Sequence, residues 1–243
     1  MVVLELDHIS KHFGGHQALK DVSIQINKNE LVGLIGPNGA GKTTLINCIT
    51  GVYKPTKGRV KLLGEDLTGL RPYQINRKGI ARTFQIPRPF GKISVRENVM
   101  VGIRGPQVNP DELLHMVGLA DKKHVPAARL SFPDRRKLEI ARALSTEPQF
   151  LLLDEVMAGL TPPEMEEMVA LVRKVQREKQ ITILWVEHVM RAIMENSDRV
   201  IVLNQGAKLL EGLPREVAGD ARVIEIYLGE KYSFKGDGLA DNQ

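Results

Sequence analysis

The sequence predicts an α/β protein with a largely parallel sheet, an antiparallel β subdomain and a small α-helical subdomain. Short β-branched, apolar runs alternate with helical patterns along most of the chain, which is typical of strands joined by crossover helices. The first two runs, VVLEL and VSIQI, are too close together for such a helix and predict an antiparallel pair. A glycine-rich segment, GPNGAGKTT, lies between an apolar run and a helical pattern. Together these observations predict a P-loop NTPase core.

The predicted strands follow one another along the chain, with one helical region between them. The runs predicted as strands are VVLEL, VSIQI, LVGLIG, FLLLD, ITILWVEH and RVIVLN. Residues of about 86–148 instead contain several prolines and short helical patterns such as SVRENVMVG and NPDELLHMVG, and they predict the helical subdomain. The chain is therefore predicted to form one domain over residues 1–230, followed by a polar C-terminal tail over residues 231–243.

The composition is that of an ordinary soluble globular protein, with 42% hydrophobic and 26% charged residues in 243. No apolar run approaches the roughly 20 residues that span a bilayer, and the N-terminus lacks the pattern of a signal peptide, so we expect a cytoplasmic protein.

The net charge of +5 is spread along the chain among acidic residues, which argues against a nucleic-acid partner. The single cysteine, Cys48, is expected to be a small buried residue.

The strongest signal for a binding site is the segment GPNGAGKTT, which matches G-x-x-x-x-G-K-[ST] in the required strand–loop–helix context. Glycines allow the backbone amides to surround phosphates, the lysine adds a positive charge, and the threonine hydroxyl that follows it can ligate magnesium. The predicted phosphate-binding residues are Gly36, Pro37, Asn38, Gly39, Ala40, Gly41, Lys42, Thr43 and Thr44, with Thr43 as the metal ligand.

Acidic and imidazole side chains follow two of the apolar strands. The run FLLLD ends in Asp154 and is followed by Glu155, which places two carboxylates at the edge where α/β sheets bind ligands. Asp154 is suited to hold magnesium, and Glu155 to orient or deprotonate an attacking water. The run ITILWVEH is predicted to end at His188, on the same edge.

The segment LSFPDRR opens a basic helical pattern. Ser131 and Asp134 fit a capping box, and Pro133 is tolerated in a first turn, where the amides are unpaired. A helix cap alone accounts for these residues locally.

The order of motifs from Val3 to about Gly229 resembles that of the ATP-binding subunits of ABC transporters. GPNGAGKTT resembles their Walker A motif, ARTFQ the Q-loop, LLLDE Walker B, AGLTP the D-loop and VEHVM the H-loop. The resemblance implies an ABC ATPase fold with ATP and Mg²⁺ as cofactors. It implies catalytic roles for Glu155, His188, Lys42 and Gln85.

The resemblance also implies roles that spacing does not show. Phe13, in FGGHQAL, occupies the place of an aromatic residue that stacks on adenine. Gln85 would contact magnesium or the attacking water, and His188 would steady the γ-phosphate.

Within the family, several segments resemble the ATPases of branched-chain amino acid importers, namely RKLEIARAL, DEVMAGLTP, WVEHVM and GAKLLEGLPREVAGDARVIEIYLGE. The last segment is also similar to the lipopolysaccharide-export ATPase, and the segment between ENVMVG and RLSFPD is shorter than in the importer group. This resemblance implies permease subunits and, indirectly, a periplasmic or extracellular substrate-binding protein as partners, with the chain peripheral at the cytoplasmic face of the membrane. Alternatives are a non-transport ABC ATPase and a regulatory module that binds ATP without hydrolysis.

In this family the place of LSFPD is taken by LSGGQ or LSYGQ, which closes over ATP held by the other subunit. Ser131 keeps the hydroxyl that suits the partner's γ-phosphate, but Pro133 offers no N–H, and Asp134 adds a negative charge. Arg135 and Arg136 are expected to offset part of this loss. We therefore expect a heterodimer with a second ABC ATPase subunit whose signature is intact.

Overall fold

The structure is a computed structural model that describes residues 1–228; residues 229–243, which include the predicted polar tail, lie outside the described range. Its strands are β1 (Val2–Phe13), β2 (His16–Asn27), β3 (Leu31–Ile35), β4 (Lys57–Leu62), β5 (Glu65–Asp66), β6 (Ile80–Arg82), β7 (Phe150–Asp154), β8 (Thr182–Val186), β9 (Arg199–Asn204) and β10 (Ala207–Gly212). Its helices are α1 (Lys42–Ile49), α2 (Pro72–Lys78), α3 (Val95–Met100), α4 (Pro110–Met116), α5 (Phe132–Leu144), α6 (Pro162–Lys179), α7 (Met190–Asn196), α8 (Pro214–Gly219) and α9 (Ala221–Leu228).

The main sheet has six strands in the order β10-β9-β3-β8-β7-β6. All neighbouring pairs are parallel except β10 with β9. Every residue of β3, β7 and β8 is buried, as expected of central strands covered by helices on both faces. The predicted largely parallel sheet is confirmed.

The second sheet has four strands in the order β2-β1-β4-β5 and is antiparallel throughout. It confirms the antiparallel pair that the two closely spaced N-terminal runs predict. The sequence did not reveal β4, β5, β6 or β10. These strands are short, or, like KGRVKL, contain too many charged residues to read as apolar runs.

The region between residues 86 and 148 contains α3, α4 and α5, with two short 3₁₀ turns between α4 and α5. Ser94 and Glu97 form a capping box at the start of α3, and Asn109 caps α4 ahead of Pro110. Apolar side chains of these helices join the same buried cluster as the sheet, so the helical subdomain is packed against the core.

Two further properties of the described chain bear on the sequence-based expectations. Cys48 is buried, and its burial raises the pKa of the thiol to about 11, in keeping with a structural role. Within residues 1–228, the helices are too short or too polar to cross a bilayer.

Phe150 at the start of β7 tests how the core holds this architecture. Its side chain is fully buried, whereas Phe90 in the helical subdomain is 50% exposed. We expect Phe150→Ala to lower the free energy of unfolding by about 3–5 kcal/mol, because the truncation leaves a cavity in the buried core. The matched Phe90→Ala variant should lose no more than about 1 kcal/mol. Urea unfolding of both variants measures the difference, and equal losses would contradict this account of the core.

Candidate active site

The loop from Gly36 to Gly41 joins β3 to α1, as the motif predicts. Gly36 has φ +155° and Gly41 φ +102°. A Cβ atom at Gly36 would overlap the carbonyl oxygen of Leu203 in β9, and one at Gly41 would lie 2.9 Å from that of Ala18. Only glycine fits these two positions, and the backbone is thereby free to turn its amides toward a bound anion at the N-terminus of α1.

Lys42 is the first residue of α1, and its side chain folds back over the loop. Lys42 is 6% exposed, and its ammonium donates to the carbonyl oxygens of Gly36, at 2.6 Å, and Pro37, at 3.1 Å. Burial lowers the pKa of Lys42, while the nearby carboxylates of Glu155 and Asp154 act in the opposite direction. An anion in the loop would offer this ammonium a stronger partner than two carbonyl groups.

A cavity of about 610 Å³ opens beside this loop. The predicted site residues that line it are Phe13, Asn38, Gly39, Ala40, Gly41, Lys42, Thr43, Thr44, Glu155 and His188, and residues that the sequence did not indicate include His16, Gln17 and Lys20. Phe13 is 42% exposed and packs edge-to-face on Tyr53, with a centroid separation of 5.1 Å. Its ring therefore forms part of the cavity wall and not of the core.

Glu155 lies between two other predicted catalytic residues. Gln85 Nε2 donates to one carboxylate oxygen at 2.6 Å, and His188 Nε2 lies 2.6 Å from the other. The backbone of Glu155 has φ +50°, an uncommon conformation for a residue other than glycine, and its amide donates to the carbonyl oxygen of Val186. The prediction that β8 reaches His188 is wrong, because the strand ends at Val186 and the following turn presents the imidazole to Glu155.

Asp154 is held by a basic residue that the sequence analysis did not single out. Its carboxylate accepts from Arg82 at 2.7 Å, and Arg82 also donates to Asn47. The Thr43 side chain is exposed at the cavity, and within residues 1–228 its hydroxyl makes no hydrogen bond. A hydroxyl and a carboxylate are oxygen donors that suit Mg²⁺, and this ion commonly takes its remaining ligands from water and nucleotide phosphates. Residues 1–228 contain no cluster of three or more His, Cys, Asp and Glu residues that could hold a metal.

Ser131 lies outside this cavity, at the N-cap of α5. Its hydroxyl accepts from the Asp134 amide at 3.3 Å and donates to the Asp134 carboxylate at 2.8 Å. The predicted capping box is only half formed, because that carboxylate pairs with Lys122 at 2.7 Å instead of with the Ser131 amide. Burial alone would raise the pKa of Asp134, but the hydrogen bonds from Lys122 and Ser131 outweigh it and lower the pKa.

Arg135 and Arg136, which were expected to offset part of the altered signature, are both bonded within the subunit, and the expectation stays a prediction. Arg135 donates to the carbonyl oxygens of Ala128 and Leu130. Arg136 is buried and donates to those of Phe84 and Ala158. Both guanidinium groups are thus engaged with backbone carbonyl groups of the same subunit, and both lie close to the start of α5.

Glu187 is a further residue that the sequence analysis did not select, although it lies in the quoted motif VEHVM. It is 2% exposed and accepts from the amide of Met157 at 2.9 Å and from the indole of Trp185 at 3.4 Å. It thus joins the chain after Glu155 to the chain before His188. Burial raises the pKa of this carboxyl group to about 7. The signal in the sequence that could have identified Glu187 is an acidic residue at the end of an apolar strand, the same signal that identified Asp154 and Glu155.

This geometry is that of a P-loop nucleotide hydrolase, with a phosphate-binding loop on one side of the cavity and the Glu155 carboxylate on the other. The model of the ABC transporter family matches residues 19–158. A branched-chain amino acid transport ATP-binding protein, BraF of Pseudomonas aeruginosa, is 38% identical over 94% of this chain and 98% of its own length. The chain belongs to the ABC transporter ATP-binding proteins and is an ATPase of that family.

Solved structures agree with this assignment. The ADP conformation of an ATP-binding cassette of an ABC transporter superposes with a TM-score of 0.86 at 33% identity, covering 95% of this chain and all of that one. A dimeric cassette in a post-hydrolysis state bound to ADP and Pi has a TM-score of 0.76 at 26% identity, covering 87% of this chain and 99% of its own.

The buried carboxyl group of Glu187 predicts a pH-dependent stability. Its pKa of about 7 in the folded state lies above the ordinary value of 4.5, so protonation favours folding, and this contribution is lost as the pH rises from 4.5 through 7. Glu187→Gln removes this titration. The free energy of unfolding of the variant, relative to that of the parent, should therefore rise by about 3 kcal/mol between pH 4.5 and pH 7. Unfolding in urea at both ends of the range measures the change, with the exposed Glu167→Gln as the control. A constant difference between parent and Glu187→Gln would contradict the prediction.

Proposed function

We propose that this ATPase energises an importer of branched-chain amino acids or related small amides. The observation that carries the catalytic part is the Glu155 carboxylate held between Gln85 and His188 at the cavity of the phosphate-binding loop. The proposed cargo rests on the similarity to the branched-chain amino acid transport ATP-binding protein of P. aeruginosa, and the proposed direction of transport on the resemblance of several segments to importer ATPases. The C-terminal pattern that resembles the lipopolysaccharide-export ATPase supports that system as the second candidate.

In the proposed reaction, the triphosphate lies on the amides of Gly39–Thr44, and Lys42 exchanges its two carbonyl partners for phosphate oxygens. The adenine stacks on Phe13 at the other end of the cavity. Thr43, Asp154 and Gln85 are the residues that would hold Mg²⁺, which neutralises charge on the phosphates when bound.

Glu155 receives the proton of the attacking water in this proposal, while His188 steadies the γ-phosphate. Both side chains already lie at hydrogen-bonding distance from one another, so the catalytic group needs little rearrangement before reaction. Gln85 orients the Glu155 carboxylate from its other side.

Permease subunits are the proposed partners of an exposed apolar surface on the helical side of the molecule. Large apolar side chains are exposed in the segment from residue 84 to 90 and at the end of α3, namely Phe84, Ile86, Phe90, Met100 and Val101. Apolar patches of this kind commonly mark protein interaction sites. The chain would thus lie at the cytoplasmic face of the membrane, and a substrate-binding protein would act through the permease.

The N-terminus of α5 supports the proposal of a heterodimer. Pro133 has no N–H to offer a phosphate of the partner's nucleotide. The Ser131 hydroxyl is already donated to Asp134, and the Asp134 charge is compensated by Lys122. Losing one hydrogen bond to a charged group costs about 1.5–3 kcal/mol, which would weaken closure over that ATP roughly ten- to a hundredfold.

Two substitutions separate nucleotide binding from hydrolysis. Lys42→Ala should weaken ATP binding about ten- to a hundredfold, because it removes the ammonium that replaces carbonyl partners by phosphate. Glu155→Gln should retain binding and lose about 10²–10³-fold in turnover, since the general base is gone. Binding is measured by calorimetry on the purified chain, and turnover in the complex isolated through a tag on this chain. The exposed Lys28→Ala and Glu167→Gln are the controls. Unchanged turnover in Glu155→Gln would overturn the proposed role of this residue.

The heterodimer proposal is tested by size exclusion of the purified Glu155→Gln chain with ATP. We expect a monomer that binds ATP, and a dimer after Pro133→Gly and Asp134→Gln are added, because these restore an amide and remove a charge at α5. A control is available in the same subdomain, where Pro110→Gly and Asp111→Gln change the same residue types at the start of α4 and should leave the monomer unchanged. A dimer of Glu155→Gln alone would overturn the proposal.

A further inference from the structure

One face of α5 carries three charged side chains that contact a single loop. Arg136, Glu139 and Arg142 are spaced three residues apart and therefore lie along the same side of the helix. Opposite them lies the segment from Phe84 to Phe90, which follows β6 and includes Gln85.

The contacts join side chains of α5 to the backbone of this segment. The Phe84 amide donates to Glu139 at 3.2 Å, and the Phe84 carbonyl accepts from Arg136 at 3.2 Å. The Arg88 amide donates to the other oxygen of Glu139 at 3.0 Å, and the Arg88 carbonyl accepts from Arg142 at 3.2 Å. Both backbone polar groups of both residues are thereby bonded to α5.

Between these two residues, the backbone makes no other hydrogen bond within residues 1–228. The amides of Gln85 and Ile86 make no hydrogen bond within the part of the chain that the structure describes, and Pro87 and Pro89 have no amide hydrogen. Gln85 is thus held at its position over Glu155 by anchors on either side, both of which depend on Glu139.

The chemistry of Glu139 suits this task. The residue is 6% exposed, and each carboxylate oxygen accepts one backbone amide. Burial raises the pKa of this carboxyl group, while the two amides and the charges of Arg142 and Arg136 act against the shift. A carboxylate can accept at both oxygens, whereas the amide of a glutamine would present a donor to one of the two N–H groups. An unsatisfied buried donor is costly, so the exchange of Glu for Gln should release one anchor.

We infer that Glu139 is a positioning residue that, with Arg136 and Arg142, holds the segment 84–88 so that Gln85 meets Glu155. This inference rests on the proposed role of Gln85 in hydrolysis. Ser131 is the N-cap of the same helix, and a movement of α5 would be transmitted to Gln85 through these bonds.

Hydrogen exchange and kinetics of Glu139→Gln test the inference. In segment 84–88 the only hydrogen-bonded amides of the described structure are those of Phe84 and Arg88, so their exchange reports directly on Glu139. We expect exchange of this segment to accelerate about tenfold or more in the purified chain. In the complex isolated through a tag, kcat for ATP should fall by about tenfold, with KM changed less than twofold. Glu167→Gln, an exposed glutamate on α6, is the matched control and should change neither value.

A double-variant cycle with Gln85→Ala shows whether Glu139 acts through Gln85. We expect Gln85→Ala alone to lower kcat, and Glu139→Gln to add no further loss in that background. Additive losses, or faster exchange with unchanged kcat, would overturn the inference. Unchanged kcat in Gln85→Ala would instead overturn the proposed role of Gln85 itself.

Arg142→Met provides a second variant if Glu139→Gln does not fold. It removes the bond to the Arg88 carbonyl from a half-buried position and keeps the apolar stem. A loss of kcat that disappears in the Gln85→Ala background supports the same inference, and a loss that persists there contradicts it.

Discussion

The register of the three central parallel strands determines where the chemistry lies. Leu34 of β3 and Asp154 of β7 are both paired with Val186 of β8. Because parallel strands all point the same way, the chain leaves these three strands at the same level and on the same edge. The phosphate-binding loop, Glu155 and His188 follow within two residues of those pairs, which is why residues far apart in sequence meet at one cavity.

Charge at this edge is compensated inside the protein before a nucleotide arrives. Arg82 neutralises Asp154, and the loop carbonyls hold the Lys42 ammonium. Glu155 is shared between a neutral amide and an imidazole. Charges in such a partly buried setting interact more strongly than at the surface, and leaving one of them unpaired would be costly. A triphosphate could replace the weaker carbonyl partners of Lys42 by phosphate oxygens.

The sequence predicted those parts of the site that are encoded locally. The phosphate-binding loop is a contiguous motif, and Asp154 and Glu155 follow a strand whose burial is evident from its composition. Arg82 and Glu139 were not predicted, because their partners lie 72 and 55 residues away and only the folded chain brings them together. Glu187 had a local signal in its position directly after an apolar strand, but its bond to Met157, 30 residues away, is visible only in the fold. The strands β6 and β10 were missed for a related reason. Their residues are defined by pairing with β7 and β9 and not by an apolar run of their own.

Helix α5 connects the altered signature to the catalytic centre. Pro133 lies in the first turn of α5, where a missing amide costs the helix nothing. Asp134 is buried and forms an ion pair with Lys122 of a neighbouring turn. Both residues are therefore accommodated within the subunit. Glu139 lies on the same helix. A displacement of the start of α5 would therefore also displace the carboxylate that holds the backbone on both sides of Gln85. Ser131 and the segment that contains Gln85 are therefore connected through α5. A displacement of this helix would change the position of Gln85 relative to Glu155.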